Sequence, residues 1–235
     1  MENQLFSRGQ VEWALWQLST IDLPSGEEPF SAFRARIRHL LRLDRSRAIQ
    51  GHPIDPPEVT YALSSKDPEG TGVDAPFTAL DTFCLAIALD LLRGGFKQAE
   101  ILLFVLYVRP QLEKAFAKIL DAPPTLRSQL ARKATPDDRN GQHGDDRRIF
   151  LVVQRIESPD VYSGYWDVSF ERSQTLISQA PVFCNGINEL RDHLDKMDQF
   201  FRRAIVLEIA HMAAMIVEFL KQAPLKRRGR PAQKA

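Results

Sequence analysis

Arginines carry the chemistry in this sequence. Arg34, Arg38 and Arg42 recur every four residues, with Arg36, Arg45 and Arg47 beside them, so six arginines in fourteen residues meet one acid, Asp44. Four-residue spacing stacks side chains on one face of a helix. Guanidinium groups grip phosphate and base edges through paired donors, which an ammonium cannot match. A nucleic-acid contact is therefore one reading of the stripe, and an ordinary solvated helix face is the other. A second basic cluster closes the chain, where Lys226, Arg227, Arg228, Arg230 and Lys234 meet no acid after Glu218.

Other chemistry leaves little trace. The sequence holds no G-x-x-x-x-G-K, no H-E-x-x-H, no nucleophile elbow and no G-x-G-x-x-G. The histidines at 39, 52, 143, 193 and 211 are scattered, and His193 with Met197 lacks the further ligands of a metal site. Cys84 and Cys184 lie a hundred residues apart, so neither a disulfide framework nor zinc spacing is expected. Cys184 reads as a buried structural thiol. No catalytic residue, cofactor or metal is expected.

The elements that position these residues follow from periodicity. Ser7 with Gln10 forms a capping box for a helix over residues 7–18, with Val11, Ala14, Leu15 and Leu18 on one face. The arginine helix spans residues 30–47 and turns Phe30, Phe33, Ile37, Leu40 and Leu41 inward. Residues 59–63 (VTYAL) read as a short strand, 64–74 as a turn, and 73–77 as the return strand.

Residues 76–120 are the most apolar part of the chain and organise the rest. Thr78 and Asp81 mark a helix start, and Gly94 and Gly95 its end, one of them in the left-handed conformation. A second helix over 98–108 is expected to stop before Pro110, and a third to run over 111–120. A helix-turn-helix is the first reading of this pair. However, AEILLFVLYV offers no basic side chain before Arg109, so it is a platform and not a base reader.

Residues 123–147 are polar and mixed in charge and read as a linker. Residues 149–156 (IFLVVQRI), 165–170 (YWDVSF) and 181–184 are expected strands of a small sheet. From about 186 to 221 an apolar stripe at helical spacing predicts a helix of roughly 35 residues, about 50 Å long. Such a helix calls for a partner, most simply a second copy. A bend near Arg202 and Arg203, with packing inside one chain, is the alternative.

The bulk numbers bound the class. At 235 residues and 44% hydrophobic content the chain can build one large core or two small ones. A net charge of +1 excludes a global field, so attraction to nucleic acid must be local. No signal peptide is read at the start, and the apolar run 101–108 is too short to span a bilayer. A cytoplasmic, nucleoid-associated location is expected, with no membrane contact.

Two patches resemble known DNA-binding proteins. The order Tyr61, wing-like turn, Phe77-Thr78, then Gly95-Phe96-Lys97-Gln98-Ala99-Glu100-Ile101 is similar to the MerR family of bacterial regulators. The resemblance covers about residues 7–120. It implies a winged helix-turn-helix in which the first helix pair reads the major groove and the second serves as platform. Arg34, Arg36, Arg38 and Arg42, with Arg45 beside them, then become DNA contacts, and Lys66 a wing contact to phosphate. The sequence departs from the family in its long loop between the first helices, in FRARIRHLL at the reading helix, and in the unit that precedes the long helix. Arg228-Gly229-Arg230-Pro231 resembles the core of an AT-hook. Glycine and proline keep such a segment thin and extended, so its arginines can lie in the narrow minor groove of A·T-rich DNA.

The resulting expectation is an α+β, mainly helical protein. It comprises a winged helix DNA-binding domain (1–122), a linker (123–147), strands plus a long dimerisation helix (148–221) and a basic tail (222–235). Its expected role is that of a homodimeric transcriptional regulator bound to double-stranded DNA, with a small-molecule or protein effector unknown. An adaptor that dimerises through its C-terminal helix is the alternative.

Overall fold

The computed structural model describes residues 4–20, 28–50, 61–65, 76–122, 148–156, 177–178, 181–197 and 203–224. Among them are six helices and a four-stranded antiparallel sheet, a mixed α+β architecture that is mostly helical. The chain divides into two units, Met1–Ala86 with Met215–Ala235, and Ile87–Ala214.

In the first unit, α1 (Arg8–Ser19) starts with the expected capping box. The Ser7 hydroxyl accepts from the Gln10 backbone N–H at 3.4 Å, and the Gln10 side-chain Oε1 accepts from the Ser7 N–H at 3.0 Å. Val11, Ala14 and Leu15 are buried. Among the described side chains of α2 (Ser31–Gln50) the buried ones are Phe33, Ile37, Leu40 and Asp44, an i, i+4, i+7, i+11 stripe. α3 (Ala79–Arg93) begins with a second reciprocal cap. Asp81 accepts from the Thr78 N–H at 2.8 Å, while the Thr78 hydroxyl accepts from the Asp81 N–H at 3.1 Å. Every residue from 81 to 89 is buried, the apolar run Phe83–Leu89 together with the polar Asp81 and Thr82. An antiparallel bridge between Phe6 and Phe77 ties the chain start to the approach to α3.

The strand expected over 59–63 does not form in its described part, residues 61–63. The Asp44 carboxylate takes the N–H groups of Ala62 and Leu63 at 3.0 and 2.8 Å, donors that a strand ladder needs. Of the return strand, only Phe77 makes a bridge among the described residues.

In the second unit α3 ends in a Schellman motif. Phe96 N–H bonds the Leu91 carbonyl and Gly95 N–H that of Leu92, with Gly95 left-handed at φ +87°. A methyl group at Gly94 would meet the tip of the Ile205 side chain, which would have to turn aside to admit it. α4 (Gln98–Leu120) runs straight past the predicted stop and contains Pro110. Proline inside a helix costs about 3 kcal/mol. Leu112, Phe116 and Ile119 beyond it are all buried, at about 1.5–3 kcal/mol each, so continuing the helix is favoured.

β1 (Ile149–Ile156) is the central strand. It pairs on one side with β2 (Ile177–Ser178) and β3 (Val182–Asn185) and on the other with β4 (Arg203–Glu208). The register of β2 on β1 (Arg155↔Ser178) differs by one residue from that of β3 (Val152↔Val182). α5 (Gly186–Asp195) covers one face. Its Leu190 packs with Phe150, Val152 and Cys184.

The single helix expected over 186–221 is broken. α5 ends at Asp195, β4 occupies Arg203–Glu208, and α6 (Ile209–Gln222) follows. Ile205 and Val206 are β-branched, and β1 offers them a six-residue ladder that a helix would forgo. The jump in apolar phase at Ala204–Ile205 marked this break. The expected linker, 123–147, and the expected strand 165–170 lie outside the described residues.

Candidate nucleic-acid interface

The apolar stripe of α2 determines where its arginines stand. At about 100° per residue, Arg34, Arg38, Arg42 and Arg45 share an arc of about 80° beside that stripe, whereas Arg36 falls on the far flank. Arg36, Arg38 and Arg42 are exposed, and Arg34 and Arg45 partly so. The spacing thus brings four of the five predicted arginines together and separates the fifth. Lys66, Arg228, Gly229, Arg230 and Pro231 lie outside the described residues.

Arg34 differs from its neighbours. Its Nη2 donates to Glu28 Oε2 at 2.9 Å, and its Nε lies 3.7 Å from Glu12 Oε2. Glu12 Oε1 also takes the Arg8 Nε at 2.8 Å. One carboxylate therefore links an arginine of its own helix to one of α2, fixing where α2 starts. Two acidic partners offset the charge of Arg34, so it is poorly suited to bind phosphate. Arg42 Nη2 lies 2.7 Å from His39 Nδ1. Guanidinium has only donors, so in this contact the imidazole nitrogen is the acceptor.

At the first residue before α2 stands Phe30, 62% exposed, whose ring meets Trp16 edge-on at 5.0 Å. Trp16 also meets the buried Phe33 at 5.2 Å, which anchors the aromatic pair to the core.

Sequence reading missed a buried polar knot in the same unit. Asp44 is 2% exposed and holds the backbone of Ala62 and Leu63. Asp81, fully buried, accepts from the Ser65 hydroxyl at 2.7 Å and from the Thr78 hydroxyl at 2.7 Å. The two carboxylates together pin residues 62–65. A signal existed, because Asp44 occupies a position of the apolar stripe and not of the arginine face.

In the second unit Gln154, on the central strand and 3% exposed, reaches His193 Nε2 with its amide nitrogen at 3.1 Å. Cys184 is buried, and burial, with Glu189 nearby, raises its thiol above the usual range. Among the described residues no group of three or more His, Cys, Asp or Glu side chains could hold a metal ion. No helix among them is long and apolar enough to cross a membrane. Comparison with protein-family models, with curated proteins and with solved structures finds no match to this chain.

Proposed function

We propose that this protein binds double-stranded DNA and regulates transcription, with α2 laid along the phosphate backbone at a major groove. Arg38 and Arg42 contact phosphate or base edges, Arg45 supports them, and Arg36 meets a second backbone position. Arg34 positions the helix through Glu12 and Glu28. In this reading the start of α3 belongs to the support of a helix-turn-helix, Lys66 contacts phosphate, and the Arg228–Pro231 tail enters a neighbouring minor groove. Two-point attachment of this kind raises avidity through effective concentration. A homodimer fits the paired half-sites of such operators.

One observation carries this reading. Arg38 and Arg42 stand exposed in register on one face of a helix whose other stripe, Phe33, Ile37 and Leu40, is buried. A helix so anchored presents its guanidinium groups without having to order itself on binding. The test is a mobility-shift titration on genomic DNA fragments at two salt concentrations. Affinity should fall steeply with salt, because each neutralised phosphate contributes about −0.9 to the slope of log K against log salt. Absent or salt-insensitive binding overturns the proposal.

A further inference from the structure

We infer that Phe30 is a stacking platform for one unpaired base at the end of the arginine stripe, so that the preferred ligand is duplex DNA with a single-stranded extension. This rests on the proposed DNA contact of α2 and names the form of nucleic acid that fits it. Phe30 is the most exposed of the large apolar residues described, and its position is not loose. Its carbonyl oxygen accepts the Arg34 N–H at 3.1 Å, which seats it at the helix start. Trp16 braces its ring edge-on, and the buried Phe33 braces Trp16. A held aromatic ring left open to water can take a planar partner at little ordering cost.

The surroundings identify that partner. Phe30, Arg34, Arg38 and Arg42 follow at four-residue intervals, about 6 Å of helix rise each. That is the scale of one nucleotide in an extended strand, so a backbone lying on Arg38 and Arg42 runs on past Arg34 and brings a base to Phe30 two intervals, about 12 Å, beyond Arg38. An apolar peptide is a poorer fit. Phe30 offers one ring and not a groove, and the next positions on its stripe are charged.

The experiment measures fluorescence anisotropy of the full chain with a labelled blunt duplex and with the same duplex carrying a short unpaired tail. Base–aromatic stacking at 1–3 kcal/mol predicts about 5- to 150-fold tighter binding of the tailed duplex. Phe30→Ala should bring the tailed duplex down to the blunt value and leave the blunt duplex unchanged, while Phe30→Tyr keeps the preference. Equal binding of both probes by the wild-type chain overturns this inference alone. A Phe30→Ala loss shared equally by both probes also overturns it. So does a glutamate-rich peptide that loses affinity through Phe30→Ala by the same factor, which would assign the ring to a protein partner. Failure to bind either probe overturns the DNA reading itself together with this inference.

Discussion

Asp44 shows how one side chain can hold a segment that has no regular structure of its own. A buried carboxylate accepting two backbone N–H groups gains charge-assisted bonds of about 1.5–3 kcal/mol each, which are not additive. Asp44→Ala leaves both donors buried and unpaired. The expected loss is about 3 kcal/mol, read as a lower urea midpoint, with Asp44→Asn losing less because it keeps one acceptor. Asp90 makes a different prediction. Burial raises its carboxyl above the usual range, and the Arg93 guanidinium at 2.8 Å opposes this without cancelling it. A folded-state pKa above the unfolded one favours the protonated fold. That contribution is full below the unfolded pKa and is lost as pH rises through the folded one. Asp90→Asn should therefore be more stable than wild type at neutral pH, and thermal scans should show the gap closing under acid.

Local codes were the most legible elements. Ser7 with Gln10, Thr78 with Asp81, and the glycine pair at 94 and 95 each specify a helix end by chemistry within a few residues, and all three form as read. The run IFLVVQRI forms a strand over its full length because it is rich in β-branched residues, and its described side chains, Ile149 to Gln154, are buried on both faces. Long-range competition was not legible. Pro110 argues locally for a stop, but the decision lies with the buried Leu112, Phe116 and Ile119. Pro110 itself is exposed, so Pro110→Ala should restore the lost hydrogen bond without disturbing packing. We expect stabilisation approaching 3 kcal/mol, visible as a higher melting temperature. β4 was misread for the same reason. Its helical spacing is real, but the ladder that β1 offers lies some fifty residues away. The candidate site divides similarly. Spacing alone separated the arginine face from the core, while the pairing of Arg34 with Glu12 and Glu28 depends on how α1 meets α2.

For the whole molecule, a net charge of +1 means that any affinity for DNA is the work of local basic clusters. Replacing Arg38 and Arg42 by alanine takes the formal charge from +1 to −1, a small change for the chain but a large one for the stripe. The salt slope of binding should shrink by about 1.8, two phosphates at about 0.9 each, with unfolding midpoints unchanged because both side chains are exposed.

β1 has a consequence for the newborn chain. Leu151 pairs with Phe183 on one side and with Leu207 on the other, 32 and 56 positions later. While the ribosome makes that intervening stretch, IFLVV has no strand among the described residues on either edge. Arrival of β3 closes one side, and the other stays open until Glu208 has emerged. A transcript cut short before codon 203 would yield a polypeptide with a bare, greasy strand edge, the kind of edge that seeds aggregation and engages chaperones. The order of synthesis therefore makes the sheet the last part of the second unit to become safe from its neighbours.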